Sequence, residues 1–241
     1  MWERQHHAWE SPALLGRRMD VLVLGHAGTR VLVFPTSQGS YHDWEDRQMP
    51  DAVGDLLADG VVQFYCVGSA DDLSWYNETI PVHRRAEWQA RYDAYLRDEV
   101  LPLSASLNDD PMLMAAGASF GGYHALCFAL RYPHLVSRAL SMSGLPDIRR
   151  LTDGQSDELV YFYNPAEFSL HEHDETRLAD LRRLDIIMAI GRDDRMCGAN
   201  EEFSRALWDR GIGNALRIWD GWAHDWTYWQ RMLQLYINGH D

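Results

Sequence analysis

Ala115-Ala116-Gly117-Ala118-Ser119-Phe120-Gly121-Gly122 follows a short apolar run, Met112-Leu113-Met114. It leads into Tyr123 to Leu130, where apolar residues recur at helical spacing. A strand, a sharp turn about one serine and then a helix is the setting of a G-x-S-x-G elbow. The turn lifts the Ser119 hydroxyl above the strand ends, and the flanking glycines let neighbouring backbone pass close at strained angles. The N–H of Phe120, opening the helix, would face negative charge developing on a bound carbonyl. The pentapeptide alone is a weak signal, because glycines and serines meet by chance. The strand before it and the helix after it carry the reading.

Upstream, residues 1–18 are polar and bear tryptophans, as an arm at a sheet edge would. Met19–Leu24 and Arg30–Phe34 read as strands joined by a turn at His26-Ala27-Gly28, and so tight a link suggests an antiparallel pair. Pro35-Thr36-Ser37-Gln38-Gly39-Ser40 is a loop. Met49, Val53, Leu56 and Leu57 mark a helix, with Gly60 at its C-cap. Val61–Val67 is a continuous apolar strand of the kind a sheet buries on both faces. After the loop Asp71–Ile80, the residues Trp88, Tyr92, Tyr95, Leu96 and Val100 predict a helix ending before Pro102.

Downstream, Pro133 closes the elbow helix and Ser137–Met142 is the next strand. Residues 144–183 then break the rhythm. A stretch this long between elements is usually functional, and a small cap insertion over the site is expected. Asp185–Ile190 and Ala215–Trp219 are strands on either side of a helix carrying Phe203, Ala206 and Leu207 and ended by Gly211. Trp226, Trp229, Leu233, Tyr236 and Ile237 form a closing helix. The alternation implies an α/β fold over residues 1–241 as one domain, with a mostly parallel central sheet, helices on both faces and right-handed crossovers.

The 241 residues, 46% of them hydrophobic, can bury one sizeable core. With 22 basic against 36 acidic residues, the formal net charge of −14 argues against nucleic acid or an anionic membrane surface as partner. No apolar run approaches the roughly 18 residues of a membrane span. The N-terminus lacks a signal-peptide core, so a cytoplasmic location is expected. Cys66 (in a strand), Cys127 (on the elbow helix) and Cys197 (in a loop) give neither a disulfide framework nor a zinc site; they read as small buried hydrophobes.

A serine nucleophile needs a base able to take its proton near neutral pH, and imidazole suits best. Of eleven histidines, His224 lies just past the last strand, after Asp220-Gly221-Trp222-Ala223. In open α/β sheets active groups collect at the carboxyl ends of strands. His124, on the elbow helix, is expected to pack beneath the site, while His42 is a candidate substrate contact. His171 and His173 sit in a polar tract that reads as solvated surface, and no metal is expected. The acid that orients the imidazole should come from Arg192-Asp193-Asp194, giving the chain order Ser, Asp, His. Asp194 is preferred, with Asp193 and Asp147 left open. A second oxyanion donor is expected from the loop after Phe34, through the backbone N–H of Ser37, beside that of Phe120. Trp75, Tyr76 and the Tyr161–Tyr163 cluster are candidates to line an aromatic pocket, with buried core as the alternative for each.

The chain resembles the esterase D, or putative-esterase, family of α/β-hydrolases. The likeness rests on Gly117-Ala118-Ser119-Phe120-Gly121-Gly122, on Gly191-Arg192-Asp193-Asp194 followed by Asn200, and on His224-Asp225-Trp226-Thr227-Tyr228-Trp229. It runs from about Met19 to the C-terminus. It implies an α/β-hydrolase fold and a Ser119–His224–Asp194 triad cleaving small-molecule carboxylic esters through an acyl-enzyme, without cofactor. One departure is that Pro35-Thr36 stands where relatives usually carry His-Gly. An acyltransferase with the same triad, or a non-catalytic binding scaffold, are the alternatives.

Overall fold

The computed structural model describes residues 2–239. Eight strands make one sheet: β1 (Arg4–Ser11), β2 (Arg17–Leu24), β3 (Thr29–Phe34), β4 (Val62–Val67), β5 (Leu113–Ala118), β6 (Arg138–Met142), β7 (Asp185–Gly191) and β8 (Ala215–Trp219). Their spatial order is β1-β2-β4-β3-β5-β6-β7-β8. The ladders β1/β2 and β2/β4 are antiparallel and the remainder parallel. The polar N-terminal arm is thus the edge strand β1.

Period-two alternation assigns side chains to the two faces. Val21, Val23, Leu32 and Phe34 enter one core, and Leu22, Leu24, Val31 and Val33 the other. On the first face lie α3 (Val82–Tyr95), α5 (Phe120–Arg131), α8 (Glu175–Arg183) and α9 (Cys197–Asp209). The second is covered by α1 (Asp43–Asp46), α2 (Gly54–Ala58) and α10 (Trp226–Tyr236), through Trp44, Leu57, Trp229 and Leu233. Every residue of β4 is buried, including Gln63, which interrupts the apolar run and whose amide donates to Gly25 O and accepts from Tyr65 Oη.

Three sequence expectations need correction. Strands β2 and β3 run in opposite directions but do not pair, because β4 lies between them. The connection steps over the start of β4: the Thr29 N–H donates to Val61 O at 2.9 Å. A Cβ at Gly28 (φ +83°) would collide with the backbone of Gly60 and Val61. The helix marked by Trp88 to Val100 does not stop before Pro102. A π-helical turn over Leu96–Val100 joins α3 to α4 (Leu101–Leu107). Pro102 is the second residue of α4, directly after the widened turn, where the chain stays helical although Pro102 has no N–H to give the preceding turn. The same widened turn carries Glu99, whose carboxylate accepts from Trp9 Nε1, Ser11 Oγ and the Ala13 N–H and so fastens the N-terminal arm. Finally, Cys197 opens α9 and is not in a loop.

Residues 144–183 include α6 (Glu158–Phe162) and α7 (Pro165–Phe168) as well as α8. Their contacts run to the first-face helices: Tyr123 Oη and Arg131 on α5 donate to the carbonyls of Tyr163 and Phe162. No helix among the described residues is long and apolar enough to cross a membrane.

Candidate active site

The parallel strands β3, β5, β6, β7 and β8 end on one side of the sheet, and their carboxyl ends deliver Ser37, Ser119, Ser143, Asp194 and His224 in turn. Ser119 sits between β5 and α5 with φ 54° and ψ −120°, a left-handed conformation that costs a non-glycine residue about 1–3 kcal/mol. Two contacts hold it there. Its N–H donates to Met142 O at 2.8 Å. Gly121 presses so close to β3 that a Cβ would meet Phe34 O and Pro35 O at 2.5 Å. The strained turn therefore projects a half-buried hydroxyl at the helix start, where the Phe120 N–H has no intrahelical acceptor.

His224 Nε2 lies 3.0 Å from Ser119 Oγ, and His224 Nδ1 lies 2.7 Å from Asp194 Oδ2. Asp194 is buried, and its other oxygen accepts the Met196 N–H at 2.9 Å. A hydroxyl, an imidazole and a buried carboxylate in that sequence can pass a proton from the serine to the histidine and stabilise the cation formed. Asp193 points away: its side chain is exposed, and its N–H donates to Gly221 O. Asp147 is committed elsewhere, to Arg149 and Asn164. Burial pushes the Asp147 carboxyl up, but these hydrogen bonds outweigh it and leave the carboxyl below its ordinary range.

The loops carrying acid and base are joined directly. Arg192 N–H donates to Trp219 O, and a Cβ on Gly191 would collide with the carbonyls of Gly221 and Trp222. Ser143 Oγ donates to Ala223 O at 3.1 Å and accepts from Trp229 Nε1 at 3.0 Å, bracing the residue before His224. Asn200 Nδ2 ties the end of β6 to α9 through Gly144 O.

On the other side of Ser119, the loop after β3 is held by two carboxylates. Asp43 Oδ2 accepts the Thr36 N–H at 2.9 Å, and Asp71 Oδ2 accepts the Gln38 N–H at 2.8 Å. Between these two engaged neighbours the Ser37 N–H donates to no backbone acceptor among the described residues, while Ser37 Oγ lies 2.7 Å from Tyr76 Oη. The Tyr76 ring stands edge-on to Phe120 at 5.0 Å. Burial pushes the Tyr76 phenol up, so it is a neutral donor or acceptor near pH 7.

Of the remaining expected contacts, Trp75 is buried core, its Nε1 donating to Tyr123 Oη; it is no pocket wall. The Tyr161–Tyr163 cluster lines a separate cavity of about 720 Å³ with Arg97, Arg131 and Arg177, away from Ser119. His42 Nδ1 pairs with Asp46 at 2.6 Å, and the ring meets Tyr41 edge-on. His124 is buried beneath the site, and His171 caps Glu167 O on an exposed turn. Among the described residues no group of His, Cys, Asp and Glu is arranged to hold a metal. All three cysteines are free and buried, and burial pushes the Cys127 thiol up to about 12.

Two features escaped the sequence reading. Trp222 is 46% exposed and stacks on His224 at 5.4 Å; its place two residues before the histidine was the available signal. The Asp71–His124 contact joins positions 53 apart, and no local pattern announces it.

Solved structures with the same architecture include esterases and hydrolases. A ferulic acid esterase superposes with a TM-score of 0.75 at 20% identity, over 97% of this chain and 96% of that one. S-formylglutathione hydrolases from Agrobacterium tumefaciens (TM-score 0.71, 13% identity, 97% and 92% covered) and Staphylococcus aureus (0.67, 14%, 97% and 96%) follow the same path. These likenesses establish an α/β-hydrolase fold. A search of curated proteins returns no match. The family model described as "Putative esterase", however, matches residues 15–235, nearly the whole chain with the serine turn, the acid loop and the histidine loop inside it, and the protein belongs to that family.

Proposed function

We propose that the protein is a serine hydrolase that cleaves carboxylic esters of small molecules through an acyl-enzyme. The observation that carries this reading is the continuous contact from Ser119 Oγ through His224 to Asp194, at 3.0 and 2.7 Å. His224 Nε2 takes the Ser119 proton as Oγ bonds to the ester carbonyl carbon. The N–H groups of Phe120 and Ser37 hold the oxyanion. As the tetrahedral species collapses, the bond to the alcohol oxygen breaks and His224 returns the proton to the leaving alcohol. Water then attacks the acyl-enzyme by the same relay and regenerates the Ser119 hydroxyl. Apart from ester and water, the groups the route uses are side chains and backbone N–H groups of this chain.

Tyr76 and Trp222, flanking Ser37 and His224, are the side chains placed to touch substrate. His42, turned to Asp46, is given no part. The three buried free cysteines suit a reducing compartment, and we place the protein in the cytoplasm.

The test is turnover of p-nitrophenyl acetate between pH 8 and 5, with and without an added alcohol acceptor. Only neutral His224 accepts the serine proton, so turnover is expected to fall on acidification. Flat turnover down to pH 5 points to a carboxylate base. Capture of the acyl group by alcohol in preference to water makes the protein a transferase, and inertness toward esters and fluorophosphonate alike leaves a binding scaffold.

A further inference from the structure

The reaction as drawn does not use Asp71 and His124, yet both are almost wholly buried, at 1% and 2% exposure. A buried carboxylate against an imidazole, with no water to share, is costly unless its oxygens are matched. Here both are: Asp71 Oδ2 accepts the Gln38 N–H at 2.8 Å, and Oδ1 lies 2.9 Å from His124 Nε2. The partners belong to different elements. Gln38 follows Ser37 in the loop after β3 and has φ 55°, a left-handed conformation that needs an external hold in a residue with a side chain. His124 is on α5, and its ring packs on Phe34 at 5.7 Å and on Phe120 at 4.9 Å. Phe34 is the last residue of β3 before the Ser37 loop, and Phe120 carries the other oxyanion N–H. One side-chain pair thus touches both halves of the oxyanion site.

We infer that Asp71 and His124 are positioning residues that set the separation of the Ser37 and Phe120 N–H groups, holding the Ser37 loop to α5. The inference rests on the esterase reading above. In this chain the loop starts Pro35-Thr36-Ser37; Pro35 is buried but has no N–H to bond, and the exposed Ser37 side chain reaches Tyr76 Oη, so neither sets the orientation of the Ser37 peptide. The carboxylates of Asp43 and Asp71, one on each side of the Ser37 peptide, fix its plane instead.

A donor displaced from the oxyanion weakens the transition state more than the bound ester. Asp71→Ala is therefore expected to lower kcat about 10²-fold per active site, counted by fluorophosphonate titration, with KM within about threefold. Asp71→Asn keeps an oxygen for the Gln38 N–H and presents an amide N–H to His124 Nε2 in its other tautomer, and is expected to recover kcat to within about tenfold of wild type. A role confined to stability would change the melting temperature and the count of active sites while leaving kcat per site in place. Because Asp71→Ala opens a hole in the core, a second variant replaces Gln38 by its α-hydroxy acid. That exchanges one amide N–H for an ester oxygen and leaves both buried side chains intact. It too is expected to lower kcat at constant KM and to weaken a trifluoromethyl ketone inhibitor in step with kcat. Unchanged kcat per site in the α-hydroxy acid variant, or a KM rising as much as kcat falls, overturns the inference. A wild-type protein inert to both ester and fluorophosphonate overturns the esterase reading first, whatever Asp71 does.

Discussion

Ser119→Ala is expected to lower ester turnover by about 10⁴- to 10⁶-fold and to abolish fluorophosphonate labelling, with the fold intact. The size follows from the proposed chemistry, since without Oγ there is no atom to carry the acyl group. The intact fold follows from the structure. Alanine keeps the Cβ already accommodated at φ 54°, the backbone bond to Met142 O remains, and the hydroxyl's described hydrogen bond is to His224. Circular dichroism and a melting curve matching wild type, beside residual activity below a thousandth, are the expected pair of results. More than a tenth of wild-type activity in a clean preparation removes Ser119 from the role of nucleophile.

Asp194→Asn is expected to cost roughly 10⁴ in kcat, the loss seen when the acid of a serine triad becomes an amide. The structure explains why so small a change should be so damaging. Asp194 Oδ1 is committed to the Met196 N–H, which fixes the amide oxygen of asparagine on that side. The amide nitrogen is then left facing His224 Nδ1 and donates to it. That places the imidazole proton on Nε2, the atom that must accept from Ser119. Asp193→Asn should change turnover by no more than about threefold, because its carboxylate is in water, where charge is screened. Both variants measured on one activated ester decide the matter. A larger loss at position 193 exchanges the two roles.

The proposed site was legible in the sequence to the extent that its residues lie in short contiguous motifs. Ser119, Asp194 and His224 each follow a strand whose apolar run is plain, and the order of strands and helices places all three at one end of the sheet. What could not be read depended on partners distant along the chain. The turn at His26–Gly28 looks like a hairpin because local sequence is silent about β4, which enters from residue 62 to fill the gap. Pro102 reads as a helix end because a π turn depends on what Glu99 must reach, namely Trp9 and Ser11. Trp75 and Tyr76 are indistinguishable as letters, but one is buried in the core and the other is hydrogen-bonded to Ser37.

Gly191 bears on how the proposed site could be altered. Acid and base arrive on separate loops, yet the loops cross at this residue, where the carbonyls of Gly221 and Trp222 occupy the space of a side chain. The spacing of Asp194 from His224 is therefore inherited from one backbone crossing. A directed-evolution library that diversifies Tyr76 or Trp222 for new alcohols explores shape while this spacing stays constant. A library that admits alanine at 191 loosens it: a shift of about 1 Å in reacting groups can cost on the order of 10²-fold in rate. Gly191→Ala should thus lower the melting temperature as well as turnover, because the atoms a Cβ would meet are backbone and cannot swing aside, so a screen on stability alone already removes variants that disturb this crossing.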